Sequence, residues 1–455
     1  MIKFLKNERV LLILNVGLAK GLFFTVIFLI SNISYDINNK DLLIFLITTS
    51  TILSYIPQFV AQDVVIPELL KIKHLDKGII KDFFSLIITV GTMIILVLTT
   101  IILISPENFL NTISQFQISD FSKSEKIIFA FIPSIIVIFL NPLISAITIS
   151  NRKYYFYTLP NICSYFLGLA VHLLHNDLLL TAIALSVGNV IGFLIHVSIA
   201  QMHIKFSIKL NFEYSLRYEF KKQLKSCVLY SIFNFSGLFL PYYAFSGFEA
   251  GVLTDFNLAN QIYNIPISLY MTQMASISLV NYSANKQSNK KNQFKFYLED
   301  QKKNNFVNLI FAFACSIFLL ILPEIFTFFE IKLYFDINRV SLFAVVLFAN
   351  LPSIGCNILF SKFVAANQIL HKVYLYPIAY NLLLISSIAF MSQYFDALTV
   401  LYLLSIMPIF YWVIIDIQQK KMFGQKKYEY SLSKLTSIQF LFLFITFQVL
   451  FYHFK

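Results

Sequence analysis

Thirteen apolar runs, each close to the ~20 residues a helix needs to cross the hydrocarbon of a bilayer, constrain what this chain can fold into more than any other feature. They lie at about 10–31, 42–62, 83–104, 127–150, 154–174, 178–199, 227–247, 256–281, 305–329, 340–361, 372–393, 397–415 and 436–453. Runs of this length in lipid leave the backbone one way to satisfy its polar groups within the segment, which is the α-helix. The rest of the composition offers no alternative: 58% of the 455 residues are hydrophobic and 13% charged, too greasy a balance to wrap a single water-soluble core. The predicted fold class is an all-α polytopic membrane protein.

Basic residues then set its orientation. With the N-terminus placed inside, alternate connections divide the Lys and Arg residues 28 to 6, and Lys20, within the first run, completes the 35. A bias this steep predicts a cytoplasmic N-terminus, and it makes the formal charge of +12 a signature of topology, not of nucleic acid binding. Lys3, Lys6 and Arg9 precede the first run as in a signal peptide, but Lys20 interrupts it and no small-residue cleavage site follows, so a retained helix is expected. The two longest basic connections, about 200–226 and 284–304, read as solvated loops that meet anionic headgroups.

The first of these connections divides the chain. Residues 1–200 form a predicted N-terminal six-helix lobe and 201–226 a basic cytoplasmic linker. Residues 227–416 form a second six-helix lobe, and 417–455 a cytoplasmic loop with a thirteenth helix. Ile56-Pro57 in the second run and Ile265-Pro266 in the eighth are echoes at an offset of six runs. So are Asn141-Pro142 with Asn151 and Pro160-Asn161, against Asn350-Leu351-Pro352 with Asn367, Pro377 and Asn381. An even number of helices per half makes such repeats parallel, related by an axis along the membrane normal.

Within the runs, three kinds of residue bear on mechanism. Pro57, Pro133, Pro142, Pro160, Pro241, Pro266, Pro352, Pro377 and Pro408 mark helices expected to be bent or broken, with Pro57 and Pro266 the candidate hinges. Lys20 is the ionisable side chain placed mid-run, about ten residues from either end. That is some 15 Å of helix rise, far for an ammonium to snorkel, so it calls for a water-filled cavity, a structural partner or a shifted helix boundary. Amides recur around it: Asn15, Gln58, Gln62, Asn189, Asn234, Gln273 and Asn281, with Asn257, Asn260, Gln261 and Asn264 on one face of the eighth run. Such amides either bond neighbouring helices or line a polar path. Asp63, Asp255, Glu324 and Asp416 fall towards run ends, so no buried proton carrier is evident. Cys163, Cys227, Cys315 and Cys356 lie singly in apolar runs and read as buried thiols. No Walker A, His-x-x-Glu-His or Gly-x-Ser-x-Gly pattern occurs, so ATP hydrolysis on this chain is not expected, nor any enzymatic activity, cofactor or metal.

Two segments carry a resemblance. Leu258-Ala259-Asn260-Gln261-Ile262-Tyr263-Asn264-Ile265-Pro266 resembles the Ala-x-Arg-Leu-x-x-x-Pro segment of the MviN-like lipid II flippases. Val64-Val65-Ile66-Pro67-Glu68-Leu69-Leu70 is similar to their Phe-Val-Pro-x-Leu segment. Both point to the multidrug/oligosaccharidyl-lipid/polysaccharide exporter superfamily, whose architecture matches residues 1 to about 416. The resemblance implies two six-helix lobes around a central cavity that opens alternately to each side of a bacterial cytoplasmic (inner) membrane. It implies a substrate that is an undecaprenyl-diphosphate-linked oligosaccharide, with membrane lipids and a polysaccharide polymerase as partners. The lipid II branch lines its cavity with arginines, whereas here the aligned position is Gln261 and the first run offers Lys20. Exporters of O-antigen (lipopolysaccharide) or capsule repeat units, the Wzx-type flippases, fit that departure better. In this reading Lys20, with Arg152 and Lys153 at the cytoplasmic mouth, attracts the diphosphate, and Asn234, Asn257, Asn260 and Gln261 bond sugar hydroxyls. A lipid II flippase of peptidoglycan synthesis and an ion-coupled multidrug or metabolite antiporter of the same fold are the alternatives. The antiporter calls for an intramembrane carboxylate.

Overall fold

The computed structural model describes residues 8–32, 37–72, 77–113, 121–208, 218–249, 251–284, 290–367 and 373–423. Among these residues the regular structure is helical throughout. The first twelve apolar runs all fall on helices, and the thirteenth, 436–453, lies outside the described residues, as does most of the 417–455 segment. Among the described residues nine helices are long and apolar enough to span a membrane, or ten when the bent pair Ile337–Phe348 and Leu351–Ala366 is taken as one span. The protein is a multi-pass membrane protein.

By compactness the chain forms two units. One comprises Met1–Phe239 with Leu279–Lys286 and Val364–Tyr374, the other Leu240–Ser278, Gln287–Phe363 and Leu375–Lys455. In the first unit, α1 (Glu8–Ser31) is followed by α2 (Ile37–Leu53), α3 (Tyr55–Val60), a π-helical turn (Ala61–Val65) and α4 (Ile66–Ile72). Then come α5 (Lys77–Ile104), the short α6 (Pro106–Ile113), α7 (Phe121–Ser150), a 3-10 turn (Tyr154–Thr158), α8 (Leu159–His175) and α9 (Leu178–His203). The core of this unit is the packing of α9 on α7 and α8. Glycines set that approach: a Cβ on Gly188 would sit 2.5 Å from the Cys163 carbonyl oxygen, and one on Gly192 2.6 Å from Pro160 Cα. Backbone thus rests on backbone, as small residues four apart allow between membrane helices.

The second unit takes the end of α10 (Tyr218–Phe245), then α11 (Val252–Pro266), a second π-helical turn (Ile267–Met271) and α12 (Thr272–Ala284). It continues through α13 (Lys290–Phe328), α14 (Ile337–Phe348), α15 (Leu351–Ala366), α16 (Leu375–Tyr394) and α17 (Ala397–Phe423). Phe245 stacks on Phe256 at 4.0 Å and meets Phe343 edge-on, so aromatic packing joins α10, α11 and α14. Asp255, buried, pairs with Arg339 at 3.5 Å and accepts from the Asp336 backbone N–H at 3.3 Å, fastening the start of α11 to the start of α14.

Several expectations are corrected here. The basic connections at 200–226 and 284–304 are helical from Tyr218 and from Lys290, because Lys, Gln and Glu are good helix formers that continue a helix past its apolar part at little cost. The prolines differ in effect. Pro133 and Pro142 lie inside one continuous 30-residue helix, and Pro160, Pro352 and Pro377 open helices, where a missing N–H costs nothing. The Asn-Pro echo is therefore unequal: the helix runs on through Asn141-Pro142 and bends by 51° around Asn350. All four cysteines are free, but Cys163 and Cys315 are half-buried and only Cys227 and Cys356 are enclosed.

Candidate functional site

The two candidate hinges have a common local structure. Proline lacks the N–H that would bond the carbonyl four residues back, and its ring crowds that carbonyl. Helix α2 stops at Leu53, four residues before Pro57, and a π turn follows at Ala61–Val65. Pro266 is followed directly by the π turn Ile267–Met271. Each π turn is closed in the same way, by the N–H of the next residue bonding five residues back: Ile66 to Ala61, and Thr272 to Ile267. Single π turns inside α-helices concentrate at functional positions. The sequence echo thus has a structural counterpart, with the first turn set three residues further from its proline than the second.

Lys20 sits near the middle of α1, partly buried, with Nζ 5.5 Å from the centroid of the Phe23 ring. Phe23 in turn packs on Tyr165 at 4.9 Å, so α1 and α8 hold the ring on which the ammonium rests. Among the described residues no carboxylate pairs with Lys20. In the same unit, Asn234 is half-buried on α10 and none of the described residues bonds its side chain. Arg152 and Lys153 are exposed where α7 ends. Arg152 has φ 60°, its N–H bonds Ile149 O at 2.9 Å, and Lys153 N–H bonds Thr148 O at 2.7 Å. That double bond pattern is a Schellman cap with Arg152 in the left-handed position, and basic groups there also complement the helix dipole.

In the second unit the predicted amide face of α11 is internally bonded. Gln261 Nε2 donates to Asn257 Oδ1 at 3.3 Å, one turn back, and both are buried. Asn260 Nδ2 donates to the Tyr242 hydroxyl, and Tyr263 donates to Asn350 Oδ1 at the bend before α15. Asn257 and Gln261 are therefore brought together, while Asn260 is committed to α10. The bonds to Tyr242 and Asn350 reach beyond α11, the ordinary role of polar side chains between membrane helices.

Two features were missed in the sequence. His196, fully enclosed on α9, has Nδ1 2.7 Å from Asn141 Oδ1 and Nε2 3.2 Å from the Thr148 hydroxyl. Asn141 Nδ2 donates to Tyr157 O at 2.8 Å, which turns its oxygen to the ring and assigns the proton to Nδ1. Beside it, Asn189 Nδ2 donates to Ser134 Oγ at 2.8 Å, and Ser186 to Ala130 O at 2.6 Å. An ionisable residue inside an apolar run was the available signal. The second is Asp63. The helix continues through the π turn to Ile72, so Asp63 is not at an exposed end but 3% exposed inside the unit, as is Glu68.

No family model and no curated protein matches the chain by sequence. Solved structures do match its fold. An outward-facing multidrug resistance MATE family transporter of the MOP superfamily superposes with TM-score 0.68 at 13% identity, over 94% of this chain and 96% of that one. The lipid II flippase MurJ, in an inward closed conformation, gives 0.65 at 16% identity over 98% and 99%. A MOP superfamily transporter from Pyrococcus furiosus gives 0.64 at 12% identity over 90% and 95%. The chain has the fold of the multidrug/oligosaccharidyl-lipid/polysaccharide (MOP) exporters.

Proposed function

We propose that the protein is a flippase that moves a polyprenyl-diphosphate-linked oligosaccharide, an O-antigen or capsule repeat unit, across the cytoplasmic membrane by alternating access. Lys20 carries this reading. An ammonium near the middle of an apolar helix costs roughly 2.5 to 3.5 kcal/mol on insertion scales, and no carboxylate among the described residues offsets it. A diphosphate would, and an ammonium suits phosphate as a compact point charge. Arg152 and Lys153, exposed at the end of α7, would receive the same group first. Asn234, and such capacity as Asn257, Asn260 and Gln261 retain beyond their mutual bonds, would meet the sugar. Pro57 and Pro266, each beside a π turn, would absorb the change of helix direction. No bond is made or broken in this cycle, and a polysaccharide polymerase would take the product.

The test is reconstitution in proteoliposomes with a fluorescent short-chain polyprenyl-diphosphate disaccharide. Protection of the label from an added membrane-impermeant quencher should change with time for the native protein and about ten- to a hundredfold more slowly with Lys20→Ala. Equal rates for the two, at equal protein content, would sink the reading.

One observation favours a second reading. The ion-coupled antiporter calls for an intramembrane carboxylate, and Asp63, buried in the first π turn, is one. In that case an imposed cation gradient should drive efflux of a cationic dye, and Asp63→Asn should abolish it.

A further inference from the structure

At the end of the first unit where α4, α7 and α9 finish and α5 begins, the surface opens into a groove of about 520 Å3. Its walls are of two kinds. Leu69, Ile80 and Met202 supply apolar surface, and Lys81, His203 and Lys205 supply basic groups. Met202 is 83% exposed and Ile79, next to the groove in sequence, is 38% exposed, so apolar side chains continue from the groove onto the outer surface. No acid lines it. Among the described residues, the acids nearest in sequence, Glu68 and Asp82, have interactions of their own, and Lys81, His203 and Lys205 have no ion pair or hydrogen-bond partner through their side chains.

The groove is held in shape. Gln201 clamps the segment after α9 from both sides, donating from Nε2 to Phe206 O at 2.9 Å and accepting the Phe206 N–H on Oε1 at 3.1 Å. Ser207 N–H bonds Ser85 Oγ at 3.1 Å, and Phe206 packs on Phe84 at 5.6 Å, which ties that segment to α5. Lys205 is therefore presented on a fixed backbone. Its counterpart, Lys81, stands in the second turn of α5, next to a first turn that contains no acid. A helix dipole favours anions at that end and disfavours cations, so dipole complementation does not account for Lys81.

We propose that this groove binds the phosphate-bearing headgroup of a membrane amphiphile, its phosphoryl oxygens between Lys81, His203 and Lys205 and its first carbons along Ile80 and Met202. The apolar walls select an amphiphile over free phosphate. The basic connections predict that this end of the unit is cytoplasmic, the face where anionic headgroups meet basic segments. The site stands on the groove alone and does not depend on the substrate proposed above.

Native mass spectrometry of the detergent-purified full chain tests it, with three probes: dioctanoyl phosphatidylglycerol, farnesyl diphosphate and inorganic phosphate. Either amphiphile should bind, and which binds tighter tells a phospholipid source from a polyprenyl one. K81Q/K205Q should weaken that binding about thirtyfold, at the usual worth of a lysine near an anionic headgroup, and K81R/K205R should retain it. K221Q/K222Q, which removes two exposed lysines at the start of α10, should leave it unchanged. Equal losses in the two glutamine variants would mean diffuse attraction and overturn the site, as would unaltered binding in K81Q/K205Q. Inorganic phosphate binding as tightly as the amphiphiles would overturn the ligand class. If K81Q/K205Q fails to fold, binding of the same probes to native protein with its lysines acetylated, with and without prior protection by phosphatidylglycerol, decides the point: protection should leave Lys81 and Lys205 unmodified, and their full acetylation would count against the proposal.

Discussion

Lys20 and His196 show how differently two polar residues in apolar helices are treated. His196 has a partner on each ring nitrogen, Asn141 and Thr148, and is fully enclosed. Its removal leaves buried groups unsatisfied, so His196→Ala should lower stability by about 1–3 kcal/mol, read as a lower Tm in a thiol-reactive dye assay, with the flipping rate per folded molecule retained. Among the described residues, Lys20 has an aromatic ring and no acid beside it. Lys20→Ala should leave Tm unchanged or raised, cut the initial flipping rate about ten- to a hundredfold, the worth of a charge-assisted hydrogen bond, and Lys20→Arg should recover part of it. A large fall in Tm for Lys20→Ala would make the residue structural. The charge of Lys20 was legible because one lysine interrupts an apolar run. His196 was not, because nothing in its run shows that Asn141 and Thr148 meet its ring, and Asp63 reads as a helix end because its apolar run breaks off at Gln62 while the helix goes on to Ile72.

Among elements, hydrophobic runs located the helices and left their local geometry open. Proline was expected to bend or break each helix it entered. Neither Pro133 nor Pro142 breaks α7, whereas the helix containing Pro57 and that containing Pro266 each acquire a π turn nearby. The proline itself does not tell the two outcomes apart, since it frees the same carbonyl in each helix. If the π turns are hinges, Pro57→Ala and Pro266→Ala should each raise thermal stability by restoring a helical bond while slowing flipping several-fold, measured together on one preparation. Faster flipping in the alanine variants would contradict the role. The α8–α9 contact yields a firmer expectation. Gly192→Ala places a methyl 2.6 Å from Pro160 Cα, backbone that cannot yield as a side chain would. It should cost about 1–3 kcal/mol, whereas Gly21→Ala, with nothing within 4 Å of its added methyl, should be neutral or better.

For the whole molecule, the run count and the Lys/Arg asymmetry were enough to give the fold class, because lipid imposes helices and periodicity within them matters little. The substrate was not legible to the same degree. Sequence identity of 12–16% to structures of transporters and flippases transmits the fold and not the cargo, which in the proposed reading is set by a few side chains such as Lys20. The central claim is that the cargo is a lipid-linked oligosaccharide, and the most direct measurement is made in the native organism. The gene is deleted, the lipid-linked intermediates are profiled by mass spectrometry, and the surface glycan is stained. The account predicts viable cells that lack the glycan and accumulate an undecaprenyl-diphosphate oligosaccharide. Lethal depletion with lipid II accumulating, or a normal glycan with no lipid-linked intermediate, would contradict it.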